Sequence, residues 1–268
     1  FVRRYPLAVI AEDKVWAEVA AACGAVGELP KSARSILQYA FTEMLNNAIE
    51  HSAGREVEVR FEPAPTGLAF VITDDGEGLF AHLRKVLRLP SNLVALQELS
   101  KGKLTTLPAG HTGEGIFFAS KAVRLFEVQS GGLRWTVDNV RRDTAVGSSP
   151  VQRGTVIRAE VARRPKKTLT QVFDEYTNDF AFTKTRVVIK LFTLGTRFIS
   201  RSEARRVVAN LEKWQSVVLD FAGVEEIGQG FADEVFRVWA RAHPKIRLEA
   251  VAMTPPVAFL LQRARSGV

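Results

Sequence analysis

One predicted helix constrains the fold of this chain more than any other stretch. Residues 41–52 read FTEMLNNAIEHS, within a helix predicted to begin near Pro30 and Ser32 and to end near 52–54. Its apolar residues recur at helical spacing and predict a buried stripe of Ile36, Ala40, Phe41, Met44, Leu45 and Ala48. Its other side carries Glu43, Asn46, Asn47, Glu50 and His51. Since Asn is a poor helix former, the paired Asn residues favour a functional face over a solvated one. An amide oxygen beside a carboxylate suits Mg²⁺, which takes few protein ligands.

The rest of the pattern predicts an α/β chain with two domains. Period-two alternation in EVEVRFEP, TGLAFVITD, RLFEVQS, LRWTVDN and GTVIRAEV predicts strands, with helices between them. These elements predict an α/β sandwich over residues 1–164, with a mainly antiparallel sheet and helices on one face. A basic stretch around Pro165 marks a boundary, and residues 165–183 are predicted to form a linker helix. Strands and helices alternate over residues 184–268, which predicts a small domain with a mainly parallel sheet.

Composition limits the location and the partners. No apolar run reaches the roughly 18 residues of a membrane span, so no membrane contact is expected. A single cysteine, Cys23, excludes an intramolecular disulfide and favours the cytoplasm. Most of the net charge of +8 lies after residue 160, where it indicates either a solvated basic surface or an anionic partner such as nucleic acid. Because the chain begins with Phe1 rather than Met, we expect a fragment. A region that precedes Phe1 is a second candidate for nucleic-acid binding.

Three further segments carry features of ligand binding. In VITDDGEGLF, a strand ends at Asp74, whose carboxylate can accept from an exocyclic amine, while Gly76 and Gly78 let backbone approach a ligand. In AGHTGEGIFFASKAV, glycines precede a helix whose first N–H groups attract phosphate. A Gly–Thr pair at 154–155 opens the last strand of this domain. Each segment alone is a weak signal, because ordinary turns have the same composition.

The order of these segments resembles the Bergerat-type ATP-binding domain of the GHKL superfamily, which includes gyrase, the histidine kinases and the anti-sigma-factor kinases. The resemblance covers roughly Ser32 to Val161 and rests on four motifs in the expected order: Asn-bearing helix, D-x-G-x-G turn, Gly-rich helix start and Gly–Thr strand. It implies ATP and Mg²⁺ as ligands. In this resemblance Asn47 corresponds to the Mg²⁺ ligand, and Glu43 corresponds to the general base of related ATPases and kinases.

The resemblance also implies contacts at both ends of the nucleotide. Those at the adenine end are an amine contact by Asp74, a pocket shaped by Gly76 and Gly78, and a water-mediated contact by Thr155. Those at the triphosphate end involve Gly113 and Gly115, together with Lys101, Lys103, His111 and Thr112. Residues 79–112 correspond to a mobile lid.

The second half resembles the STAS-like fold of the anti-sigma-factor antagonists. In VVLDFAGVEEIGQGFADEVFRVW, a hydrophobic strand, an Asp and a turn precede a helix. The antagonists carry a phosphorylatable Ser at the helix start, where this chain has Gly228, Gln229 and Gly230, so no phosphate acceptance is expected there. The whole chain resembles bacterial proteins that fuse an ATPase domain to a STAS-like domain of unknown function. Some of these relatives carry an N-terminal helix-turn-helix.

We therefore expect a Mg-ATP-binding regulatory protein, an ATPase-type conformational switch that couples nucleotide state to the STAS-like domain or to a protein partner. Two alternatives stay open: an anti-sigma-type Ser/Thr protein kinase acting on a separate protein, and a DNA-linked transcriptional regulator. A conventional histidine kinase is not expected, because none of the four histidines lies in a phosphoacceptor hairpin. Hydrolysis, phosphoryl transfer and simple sensing of ATP are all compatible with the motifs.

Overall fold

The computed structural model divides the chain into two compact units, unit 1 over Phe1–Glu175 and unit 2 over Tyr176–Val268. It describes residues 1–101, 115–178, 181–182, 184–191, 194–209, 211–212 and 214–266. The predictions for Lys103, His111, Thr112 and Gly113 lie outside the described residues. None of the described helices combines the length and apolar composition that crossing a membrane requires.

Unit 1 is built on a seven-stranded sheet in which every neighbouring pair is antiparallel. Its strands are β1 (Val2–Pro6), β2 (Glu56–Ala64), β3 (Gly67–Asp74), β4 (Leu125–Ser130), β5 (Leu133–Asp138), β6 (Asp143–Ser148) and β7 (Thr155–Ala162). They lie in the order β1-β2-β3-β7-β4-β5-β6. The two edge strands, β1 and β6, add to the five strands that alternation predicts.

The helices of unit 1 cover the buried face of this sheet. They are α1 (Glu12–Ala22), α2 (Gly24–Gly27), α3 (Lys31–His51), α4 (Leu79–Val86), α5 (Asn92–Ser100) and α6 (Gly115–Ala122), followed at the unit boundary by α7 (Leu169–Tyr176). The sequence EDKVWAEVAAACGAV, residues 12–26, predicts a single helix, but the structure divides it at Cys23 into α1 and α2. The predicted linker helix ends at Tyr176, where the β-branched Thr177 and the poor helix former Asn178 begin a short strand.

The register of the sheet aligns buried side chains of neighbouring strands in a row. Phe61, Phe70, Ala159, Phe126 and Val137 are successive neighbours across five strands, and all of them are buried. On α3, the predicted stripe is buried throughout, and Phe41 packs with ring centroids 5.2 Å from Phe61 and 5.6 Å from Phe70. The apolar stripe of α3 thus fixes the helix on the sheet and determines where its polar residues point.

Unit 2 is a small α/β domain with mainly parallel strands. Its elements are β8 (Thr177–Asn178), β9 (Ala181–Phe182), β10 (Lys184–Lys190), β11 (Arg197–Phe198), α8 (Arg201–Val208), β12 (Trp214–Asp220), β13 (Glu226–Ile227), α9 (Gln229–Asp233), a π-helical turn (Glu234–Trp239), α10 (Ala240–Ala242), β14 (Arg247–Val251) and α11 (Pro255–Ser266). The sheet β10-β12-β14 and the pair β11-β13 are parallel. The predicted fold class, an antiparallel sandwich followed by a domain with parallel strands, is confirmed.

The basic start of α8 is balanced by acidic residues within unit 2. Ser200 caps the helix by accepting from the Glu203 backbone N–H at 3.2 Å, and Glu203 completes a capping box. Arg201 lies 3.0 Å from Asp233, and Arg205 lies 2.7 Å from Glu234. These pairs give the basic residues a role inside the fold.

Candidate functional site

A cleft open to solvent lies in unit 1 where the end of α3 faces β3 and β7. Its apolar walls come from Met44, Ala48, Ile72, Leu79, Ile116 and Ile157. Its polar lining residues are Asn47, His51, Ser52, Asp74, His82 and Thr155. Apolar walls with a few fixed polar groups are typical of small-molecule sites. Three of the predicted site residues, Asn47, Asp74 and Thr155, therefore share one cleft.

Two polar residues at the ends of neighbouring strands, Asp74 and Thr155, form the floor of the cleft. Asp74 ends β3 and lies opposite Thr155, the first residue of β7. The Asp74 side chain is buried and its Oδ1 accepts from the Gly76 backbone N–H at 2.9 Å. Burial raises the pKa of Asp74, and hydrogen bonds from Gly76 and Thr155 partly oppose that rise. The Thr155 hydroxyl also accepts from the Leu79 N–H at 3.0 Å, so both groups are held in place.

The glycines of the turn after β3 are required by packing within the protein itself. A Cβ on Gly76 would lie 2.0 Å from the carbonyl oxygen of Ser52, at the end of α3. Gly78 has φ +92°, and a Cβ there would lie 2.6 Å from Ser130 Oγ. The Glu77 N–H donates to Ser52 O at 2.8 Å, which ties the turn to α3. These close approaches keep Asp74 at the floor of the cleft, next to the end of α3.

The polar face of α3 runs from the cleft toward the start of α6. Asn47 lines the cleft, and among the described residues its buried Nδ2 has no hydrogen-bond partner. Glu43 lies one turn earlier, and a Cβ on Gly115 would be 2.1 Å from its Oε2. The Glu43 carboxylate thus lies against the first residue of α6. Asn46 and Glu50, on the same helix, are not among the lining residues of this cleft.

The residues present are compatible with Mg²⁺ at Asn47. The buried Nδ2 of Asn47 has no partner among the described residues, so it can donate to a phosphate oxygen in the cleft. The oxygen of the same amide can ligate a cation. Among the residues that the structure describes, no cluster of three or more His, Cys, Asp or Glu could hold a metal. A cation here would therefore take most of its oxygen ligands from phosphate and water, as Mg²⁺ commonly does.

The predicted phosphate contacts are only partly within the described residues. Lys101 follows α5 and is buried, with Nζ 2.6 Å from Glu98 Oε1. Gly115 begins α6, next to Glu43.

Two histidines, His51 and His82, line the cleft together, and the sequence did not predict that they would meet. The rings of His51 and His82 have centroids 5.6 Å apart and are tilted by 32°. His82 Nδ1 lies 2.7 Å from Glu77 Oε1, and this hydrogen bond lowers the pKa of Glu77. The two histidines belong to different helices, so no spacing in the sequence could have paired them. The only signal was that His51 shares the polar face of α3.

Unit 1 thus combines an acidic strand end, an Asn-bearing helix and a second helix that starts at glycine. Residues 10–138 match the family model of the histidine kinase-like ATPase domain, and residues 203–258 match the STAS-like domain of unknown function. The chain thus joins a histidine kinase-like ATPase domain to a STAS-like domain, as the resemblance predicted. The comparison with curated proteins gives no match.

This combination is that of a regulatory ATPase or kinase. The ATPase domain implies nucleotide binding, which in this family typically involves Mg²⁺. The STAS-like domain suggests interaction with protein.

Proposed function

We propose that the protein binds Mg-ATP in this cleft and acts as a conformational switch, whose nucleotide state is read by the STAS-like domain or by a protein partner. The observation that carries the proposal is the convergence of Asn47, Asp74 and Thr155 on one cleft. A ligand shifts such a switch only if its affinity differs between the two states. Closure over the triphosphate would supply that difference.

The three predicted residues that line the cleft have roles that their positions support. The buried Asp74 carboxylate would accept from the adenine amine, and Thr155 beside it would hold the base through a water. Asn47 would ligate Mg²⁺, and the N–H groups at the start of α6 would face the phosphates. When bound, Mg²⁺ would neutralise charge on the phosphate oxygens.

Glu43 is the proposed proton acceptor. Its carboxylate lies against Gly115, the first residue of the helix that would meet the phosphates. From there it would take a proton from an attacking water, or from a Ser/Thr hydroxyl in the kinase alternative. We expect Glu43→Ala to abolish turnover and to leave ATP binding intact. Retained turnover in this variant would remove Glu43 from the mechanism.

The metal assignment is tested by comparing two neighbouring asparagines. We expect Asn47→Ala to weaken Mg-ATP binding by about tenfold or more, because it removes a contact to a charged group. Asn46→Ala is the matched control, since Asn46 is the adjacent residue of the same type and does not line the cleft. Isothermal titration with Mg-ATP measures both variants. Equal affinity of Asn47→Ala and the wild type would show that the metal assignment is wrong.

The kinase alternative makes a different prediction about the product. Incubation with γ-labelled ATP and candidate partner proteins would place the label on a Ser or Thr of the partner, whereas a switch ATPase releases inorganic phosphate. For the DNA-linked alternative, Arg201 and Arg205 of unit 2 provide no support, because both are paired with acidic residues.

A further inference from the structure

The Glu77–His82 pair is a carboxylate and an imidazole held at the wall of the cleft. Glu77 stands between Gly76 and Gly78, and its N–H is bonded to Ser52 O. Lys85 Nζ approaches the second carboxylate oxygen of Glu77 at 3.6 Å. His82 is held on one side by Glu77 Oε1 at 2.7 Å and on one face by the His51 ring. Its side chain is 19% exposed, which leaves part of the ring accessible from the cleft.

The direction of α3 indicates which part of a nucleotide this pair would meet. On α3, Glu43 lies against the start of α6, Asn47 is one turn further and His51 is one turn beyond that, with about 6 Å between successive positions. If the phosphates lie toward Glu43 and the adenine amine reaches Asp74, the sugar is the part that passes His51 and its neighbour His82. This placement rests on the proposed function.

We propose that His82 binds a ribose hydroxyl of the nucleotide and that Glu77 is the residue that positions it. Nδ1 of His82 is engaged by Glu77, so Nε2, on the far edge of the ring, is the nitrogen that meets the hydroxyl. A carboxylate on one ring nitrogen fixes the tautomer and the direction of the other. The resulting preference is for ribonucleotides over 2′- or 3′-deoxyribonucleotides.

A purely structural role for the same pair makes a different prediction. If Glu77 and His82 only stabilise the start of α4, their loss would weaken binding of ATP and of its deoxy analogues by the same factor. If His82 binds a hydroxyl, loss of His82 weakens the binding of ATP and leaves unchanged the binding of the analogue that lacks this hydroxyl. The ratio of the two affinities therefore separates the roles, whatever happens to overall stability.

The experiment measures dissociation constants of Mg-ATP, Mg-2′-deoxy-ATP and Mg-3′-deoxy-ATP for the 268-residue chain by isothermal titration. We expect the wild type to bind ATP about fivefold more tightly than one of the two deoxy analogues, the value of one ordinary hydrogen bond. His82→Phe keeps a ring against His51 and removes both nitrogens, so it should bind ATP at the affinity of that analogue. Glu77→Ala should reduce the ratio, and Glu77→Gln, whose amide oxygen can still accept from Nδ1, should restore it.

His243→Ala is the matched control, because His243 lies in unit 2 and bonds to the Trp239 carbonyl. It should leave the ratio unchanged. Equal affinity of the wild type for ATP and both analogues overturns the ribose contact while leaving the nucleotide site in place. A preference that persists in His82→Phe also overturns it. Failure of all three nucleotides to bind overturns the proposed function and this inference together.

Discussion

Replacement of Gly115 by Ala tests whether the position of the Glu43 carboxylate controls turnover. The added methyl group would lie 2.1 Å from Glu43 Oε2, whereas ordinary contact begins at about 3.4 Å. The carboxylate is the end of a flexible side chain, so it would move away by about 1 Å or more. Displacement of a reacting group by 1 Å can cost roughly 100-fold in rate. We therefore expect kcat for ATP turnover to fall about 100-fold in Gly115→Ala.

The assay is phosphate release at saturating Mg-ATP, so that a change in the affinity for ATP does not alter the measured rate. Gly24→Ala is the matched control, because Gly24 also begins a helix and a Cβ there meets nothing within 4 Å. Unfolding is not expected to explain a loss, since Ala favours a helix over Gly by about 1 kcal/mol. A kcat within about twofold of the wild type would refute the reasoning.

Three further expectations concern single residues. Because burial raises the pKa of Asp74, its carboxylate gains a proton and loses acceptor capacity at a higher pH than an ordinary Asp as the solution is acidified. As the pH is lowered from neutral, the affinity for adenosine should therefore begin to fall at a higher pH than an ordinary Asp would give. Asp74→Asn should abolish this pH dependence. Ser200→Ala removes the cap of α8 and should lower the unfolding free energy of unit 2 by about 1 kcal/mol in urea, with Ser202→Ala as the milder control. Ala53 has φ +53°, so Ala53→Gly should raise the stability of unit 1 by about 1 kcal/mol, whereas the control Ala20→Gly, at an exposed position of α1, should lower it.

The parts of the fold that sequence could predict are those with a strong period. The stripe of α3 and the alternation in β2, β3 and β7 follow from burial on one face, and all were located correctly. The edge strands β1 and β6 were missed because an edge strand is largely exposed and carries little alternation: in β1 only Tyr5 is buried. The break at Cys23 was missed because the neighbouring Gly24 is a weak signal: an isolated glycine is tolerated within a helix.

Within the candidate site, sequence could supply residue types but not the distances between elements. The side of α3 that carries Asn47 follows from the period of its apolar stripe. The meeting of His51 with His82 depends on the path of the chain after Asp74, which is set by Gly78 at φ +92° and by the packing of Gly76 on Ser52. Such backbone geometry leaves no periodic trace, so Glu77 and His82 received no role from the sequence.

Packing partly explains why residue 228, at the start of α9, is glycine and not serine. The Gly228 N–H donates to Phe198 O at 2.8 Å, and a Cβ on Gly228 would lie 2.4 Å from Ile199 O. A Ser at this position would push against backbone, so β11 would have to move. Gly230 is different, because a Cβ there would be in ordinary contact with the Arg201 side chain at 3.5 Å. The helix start could therefore accommodate a hydroxyl at residue 230 but does not carry one. Phosphoryl transfer to this helix start is thus not available as an output, and the kinase alternative requires a hydroxyl elsewhere, most simply on a separate protein.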